Sequence, residues 1–296
     1  MKYIKLTLSV AFLAVLFFVI PTACSKSSTH TVTDTVTVVK TDTLYATKPD
    51  STINLTKGLL VYLNFSGNIV DSSGNNNPTT AVGNVLTYDA HGYANNAFGA
   101  DGGGERVYVS NNGSIQFDTA WALSFGFMVN STSEQAYISM VDPATGFAPT
   151  FLIGTTYAGI NSIDVGTGDI THGCDTYGTN DNVNITDTST FVPVLGAWYN
   201  AIVIYHKGSL QFYINGSLVS SKTGQGAAAN LCPNSQLIIG AWWNTQPISM
   251  NGKMDNIRLY NRVLTPHEIV ALSANYQVTS NSQRPAVRTA PVHKTF

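Results

Sequence analysis

The side chains best able to do chemistry in this 296-residue chain are its acids, and the glutamates among them are few and scattered. Glu105 sits in a glycine-rich turn, Glu134 follows Ser131-Thr132-Ser133, and Glu268 belongs to Leu264-Thr265-Pro266-His267-Glu268. Retaining hydrolysis of a glycosidic bond needs two carboxyls about 5 Å apart. No two of these glutamates are close in sequence, and among the aspartates only Asp164 and Asp169, in an irregular stretch, stand out as near neighbours. Serine, histidine and aspartate are all present, yet no Gly-x-Ser-x-Gly turn presents a nucleophile. Nor does any Cys-x-x-Cys or His/Cys cluster have zinc-site spacing. These absences point away from catalysis.

Binding chemistry is better represented. Sugars stack their apolar faces on aromatic rings while Asn, Asp and Gln supply hydrogen bonds. Trp242-Trp243-Asn244-Thr245-Gln246 reads as a loop between two strands. If that segment is extended, adjacent side chains face opposite ways, so one tryptophan enters the core and the other stays exposed. Trp242, Trp243 and Asn244 are therefore candidate glycan contacts. Tyr177, with Tyr157, Asn180 and Asp181 from the irregular middle of the chain, is a candidate for the same rim. Trp121 and Trp198 read as core.

Only 11% of the residues are charged and the formal net charge is −2. That leaves no basic footprint for nucleic acid. Residues 1–24 read as a processing segment, with Lys2 and Lys5 ahead of an apolar run from Leu6 to Ile20. Ile20-Pro21-Thr22-Ala23-Cys24 resembles a bacterial lipobox, departing from it at Pro21. The resemblance implies a lipid on Cys24 and hence membrane attachment, as in an outer-membrane lipoprotein of the cell envelope. Ser25-Lys26-Ser27-Ser28 leaves periplasmic and surface-facing orientations equally open. Residues 25–55 alternate Thr, Val and Asp without turn signals until Pro49 and read as a tether. Residues 276–296 show no periodicity and read as a disordered tail. In an exported domain Cys174 and Cys232 are candidates for one disulfide; two separate buried thiols are the alternative.

Between the tether and the tail, residues 56–275 alternate short apolar runs with Gly, Asn, Asp and Ser. Strands are expected over Gly58–Phe65, Arg106–Ser110, Ala122–Asn130, Gln135–Val141, Thr150–Ile153, Trp198–Tyr205, Leu210–Ile214, Ser217–Ser220, Leu237–Ala241 and Gly252–Asn261. Asn215-Gly216 is a strong hairpin signal. Many short strands joined by polar turns indicate a two-sheet sandwich. A helix is expected after the last strand. Thr265 suits its N-cap, Pro266 its first position, and Glu268 completes a capping box.

The segments "GLLVYLNFSGNIVDSSGNNN", "FGADGGGERVYV", "WALSFGFMVN", "WYNAIVIYHKGSLQFYINGSLV", "LIIGAW" and "NGKMDNIRLYNRVLTPHEI" together resemble laminin G-like, pentraxin-like domains of the concanavalin A-like lectin/glucanase superfamily. Phe127 departs from the pattern, which usually carries Trp there. The resemblance implies an all-β jelly-roll sandwich of two curved antiparallel sheets with a short C-terminal capping helix. It implies that the first and last strands pair, bringing Asp255 near the loop from Asp71 to Asn77. Such proximity would suit one structural calcium ion, with Asp71, Asn75, Asn77, Asp101 and Asp255 as its candidate ligands. The E-x-D-x-x-E arrangement of the superfamily's laminarinase-type enzymes is missing. The chain is therefore expected to be a non-catalytic module that binds glycan, or alternatively a cell-envelope protein partner in adhesion or assembly.

Overall fold

The computed structural model describes residues 53–144, 150–155, 163–167, 183–186, 191–223, 231–244 and 247–276, all within the compact unit Asp50–Phe296. The expected processing segment with Cys24, nearly all of the expected tether, Cys174, Tyr177 and the residues beyond Tyr276 lie outside them. The fold is all-β, two antiparallel sheets followed by one short helix. Sheet A orders β13 (Ser217–Thr223), β12 (Ser209–Ile214), β11 (Trp198–His206), β6 (Ala120–Val129), β15 (Asn251–Tyr260), β4 (Ala97–Asp101) and β3 (Leu86–Thr87), with β1 (Leu59–Leu63) also on β15. Sheet B orders β10 (Val183–Thr186), β9 (Ile163–Thr167), β8 (Phe151–Thr155), β7 (Ala136–Val141), β14 (Gln236–Ile239), β5 (Arg106–Val109) and β2 (Thr79–Val82).

The expected pairing of first and last strands forms: Val61 faces Leu259 and Leu63 faces Ile257. Strand β4 takes the other half of the same edge, from Asn251 to Met254. The Asn215-Gly216 turn also forms, with φ of 50° and 81°. Both values are left-handed, as a two-residue hairpin turn of this type requires. The short strands β2, β3 and β4 escape the sequence pattern because they are brief and half exposed. The stretch from Ala158 to Ser189, read as irregular, contains β9 and β10, paired to each other and, through β9, to β8.

Alternation along each strand decides the core. Val109, Leu237, Met140 and Phe151 form one row across sheet B, and Leu123, Leu259, Val203 and Phe212 form one across sheet A. These rows belong to one buried cluster, which also holds Trp121 and Phe127. Trp198 differs from its expected place: it is only partly buried and stacks on Tyr276 at 6.0 Å.

The outer face of sheet A is roofed. Ile202, Ile204 and Tyr260 pack with Leu264, Ile269 and Leu272 from or beside helix α1 (Pro266–Ser273). Thr265 caps it as expected: its hydroxyl accepts from the Glu268 amide at 3.3 Å, and Glu268 Oε2 accepts from the Thr265 amide at 2.8 Å. Arg262 donates to both Glu268 oxygens, at 2.8 and 2.7 Å. That charged bond, ahead of the opposing effect of burial, holds the Glu268 carboxyl below its ordinary range. Arg262 also donates to the carbonyls of Lys57 and Asn54, and Tyr260 to that of Leu55. The end of the expected tether is thereby tied to the domain. So is Tyr276, placed in the tail by its sequence but buried here in a short 3-10 turn.

Candidate functional site

The outer face of sheet B is built differently. One row runs across five strands: Thr80, Tyr108, Ile238, Ser139 and Leu152. Over this row folds the segment after β14. Ser139 Oγ donates to the Trp242 carbonyl at 2.6 Å and to that of Ala241 at 3.2 Å. The turn thus grips the sheet through one serine, and its side chains come to rest on the face. Trp243 and Tyr108, both partly buried, pack on Val141, Ile238 and Ala241. The Tyr108 hydroxyl donates to Asn244 Oδ1, and the Asn244 amide donates to the Pro143 carbonyl at 2.8 Å.

The two tryptophans do not point to opposite sides, as an extended segment would make them. The chain bends here, so their rings stack at 6.1 Å and 21°. Trp242 is the inner one, 9% exposed, and Trp243 carries the stack outward. Sequence reading missed Tyr108. The signal was present, since Val107 and Val109 point into the core and alternation turns Tyr108 the other way. What alternation could not show is that Asn244, 136 residues later, meets it.

The five candidate calcium ligands are not brought together. Asp71 bridges to Leu63 on the side of β1 away from β15, so β1 separates its loop from Asp255. Its carboxylate already accepts from the amides of Tyr62, Ser73 and Asn77, the Ser73 hydroxyl and Asn77 Nδ2. Burial pushes the Asp71 carboxyl up, but these donors together outweigh it and hold its pKa below the ordinary value. Asn75 donates to the Leu59 and Leu60 carbonyls, and Asn77 donates to that of Leu60 while its Oδ1 accepts from the Ser114 hydroxyl. Asp101, exposed, caps its own turn by accepting from Gly103. Among the described residues, no three His, Cys, Asp or Glu side chains are placed to hold a metal ion. The predicted set is not gathered around one calcium: Asp71 is satisfied within its own loop, and β1 lies between that loop and Asp255.

Asp255 has its own explanation. It lies at a bulge where β15 shifts register against β6, with Asn256 in a left-handed conformation at φ 51°. Its carboxylate accepts from the Asn256 amide at 2.6 Å, Asn256 Nδ2 at 2.9 Å and the Tyr276 hydroxyl at 3.4 Å. Neither Arg258 nor Arg262 pairs with it: Arg258 lies over the Tyr62 ring and Arg262 holds Glu268. Burial pushes the Asp255 carboxyl up to about 7; the Asn256 amide opposes this, and the charge of Asp89 adds to it. This acidic residue on the last strand thus anchors the C-terminal turn through Tyr276.

Cys232 is buried. Of the Asp164 and Asp169 pair, Asp164 lies in β9 opposite Gly154 and Thr186, and Asp169 is outside the described residues. No helix among the described residues is long and apolar enough to cross a membrane.

The model of a family described as "Concanavalin A-like lectin/glucanases superfamily", Laminin_G_3, matches residues 101–270. No curated protein sequence matches. Domain 4 of AbnA, a GH43 extracellular arabinanase from Geobacillus stearothermophilus solved in complex with arabinotriose, is similar in structure with TM-score 0.54 and 18% identity. That match covers 73% of this chain and 98% of that one. The binding domain of Paraclostridial Mosquitocidal Protein 1 gives 0.55 and 18%, covering 75% and 53%. The botulinum neurotoxin serotype D ligand binding domain in complex with N-acetylneuraminic acid gives 0.54 and 15%, covering 74% and 51%. The chain spans about half the length of the two toxin domains. At these identities the likeness establishes the fold.

Proposed function

Because the chain belongs to the Laminin_G_3 family of the concanavalin A-like lectin/glucanases superfamily, we propose that it is a non-catalytic carbohydrate-binding module, its glycan site on the outer face of sheet B. The observation that carries this reading is the Trp243–Tyr108 platform, bordered by Asn244. An aromatic surface with a polar side chain at its edge matches the two faces of a sugar ring, one apolar and one hydroxylated. Binding by the arabinanase domain and by the serotype D toxin domain of the ligands solved with them supports the class of ligand without specifying it.

The proposal includes the setting expected from the sequence: a lipid on Cys24, attachment to the outer membrane of the cell envelope, and a Cys174–Cys232 bridge. The module then works as a tethered binder and needs no paired carboxylates. Affinity electrophoresis through gels containing neutral and acidic polysaccharides tests the central claim. Retardation by at least one polysaccharide is expected, and Trp243→Ala should weaken it about tenfold or more while leaving the melting temperature within a few degrees. Unretarded migration in every gel would remove the reading.

A second reading, binding of a cell-envelope protein, is favoured by Val192, Val194 and Leu195, which are exposed side by side just before β11. Crosslinking on intact cells that depends on Val194 and not on Trp243 would favour it.

A further inference from the structure

A pocket of about 380 Å³ adjoins the aromatic face. It opens where Ser110 and Asn111 follow β5, where β7 runs out into Asp142, Pro143 and Ala144, and where Pro233 to Gln236 lead into β14. The pocket and the platform are parts of one surface. Ser110 lies two residues beyond Tyr108, and Gln236 two residues before Ile238, so all four share a face at a spacing of about 7 Å. Pro143, in the pocket wall, is bonded to Asn244 of the tryptophan turn.

The lining has a definite chemistry. Asn111 is spent on structure: its Oδ1 accepts from Gly113 and Ile115, and its Nδ2 donates to the Ile115 carbonyl. Asp142 Oδ1 accepts from the Ala144 amide at 2.9 Å, and its second oxygen has no protein donor among the described residues. Ser235 is 1% exposed and its buried hydroxyl makes no hydrogen bond among the described residues, a cost that a well-finished wall would avoid. Asn234 and Gln236 add amide donors and acceptors. Asp142 is the ionisable residue of the lining. The nearest cation on β5, Arg106, lies beyond Tyr108 on the side away from Ser110 and donates through Nε to the Gly104 carbonyl.

We propose that this pocket is a second sugar subsite, seating an uncharged, hydroxyl-rich residue of the glycan whose neighbour lies on Trp243 and Tyr108, and that Asp142 sets this preference. The inference rests on the carbohydrate reading and goes further by assigning the class of residue bound. A carboxylate with a free oxygen accepts strong hydrogen bonds from sugar hydroxyls. The same charge, with no cation in the lining to offset it, repels a uronic or sialic acid carboxylate at that position.

Titration calorimetry on the purified protein tests this with neutral arabino-, xylo-, gluco- and galacto-oligosaccharides of four or more residues, set against oligogalacturonides and glucuronylated xylo-oligosaccharides. At least one neutral series should bind, with the acidic series about tenfold weaker or more. Asp142→Asn keeps the oxygen that caps Ala144. It should weaken neutral binding about tenfold and narrow the gap to the acidic series. Asn234→Ala, at an exposed position that leaves the fold intact, should weaken neutral binding by a smaller factor. Acidic ligands bound as tightly as neutral ones would overturn the assignment. So would an Asp142→Asn protein with unchanged affinities beside a Trp243→Ala protein that has lost them; the carbohydrate reading would then stand and the pocket would not. Should the unaltered protein bind no oligosaccharide at all, both would fall.

Discussion

On the outer face of sheet A, Ile202, Ile204 and Tyr260 lie beneath a capped helix, while on the outer face of sheet B, Val141 and Ile238 lie beneath one bent turn carrying Trp243. Both faces are apolar, and both are covered by the segment that comes after a strand of their own sheet. The coverings differ in what they leave over. On sheet A, Ser273 and Tyr276 reach back to Asn200 and Asp255, so even the polar groups of that face are satisfied. On sheet B the covering residues are aromatic, partly buried and flanked by a pocket where one Asp142 oxygen and the buried Ser235 hydroxyl have no protein hydrogen-bond partner among the described residues. A closed face stabilises a fold; an open one of this composition suits the binding role proposed for it.

Damage to the closed face should produce the largest effect. Gly126 lies under the Tyr276 ring, and a Cβ at that position would overlap it. Gly126→Val should lower the melting temperature by about 5–10 °C, as expected for an overpacked core site in a domain of this size. Its affinity for glycan at temperatures where it is folded should not change. Calorimetric melts with and without a bound oligosaccharide separate the two, and a Gly126→Val protein that is stable but no longer binds would merge the faces.

A smaller effect should come from pH. The Asp255 carboxyl is raised to about 7 in the folded chain, so the folded state holds this proton more tightly than the unfolded one. Its contribution is fully present below about pH 4 and is lost as pH rises through about 7. Asp255→Asn, which never ionises, should therefore gain melting temperature relative to the unaltered protein between pH 5 and pH 8. Parallel melting curves across that range would show that the roof over Asp255 admits water.

The smallest effect is expected from chelation. With Asp71 satisfied by five protein donors and separated from Asp255 by β1, a chelator should leave the melting curve in place. A drop of several degrees would restore the calcium expected from the sequence, and the loop from Asp71 to Asn77 would have to rearrange around it.

Much of the fold was legible because it is written locally. Alternation marks β6 and β15 and separates Val107 and Val109 from Tyr108, while continuous apolar runs mark β7 and β11; Asn215-Gly216 specifies its turn, and Thr-Pro-His-Glu specifies its helix start. These signals depend on neighbours within a few residues, where backbone sterics and capping bonds act. The candidate site was legible only as separate residues. Trp242, Trp243 and Asn244 could be singled out, but their extended geometry could not be checked against a bend held by Ser139. Asp71 and Asp255 were joined in expectation because the first and last strands pair. The pairing is real, yet it sets the two carboxylates on opposite sides of the strand between them.

By itself, the amino-acid sequence determined which residues face inward, where the chain turns and how the helix begins, since each is set by steric and hydrogen-bonding preferences over a few positions. Tertiary structure alone decided that Tyr108 meets Asn244 and that Asp255 lies under Tyr276 instead of beside Asp71. Periodicity assigns a side chain to a face but carries no information about which distant strand lies next to it. That choice is made by the packing of the whole sandwich.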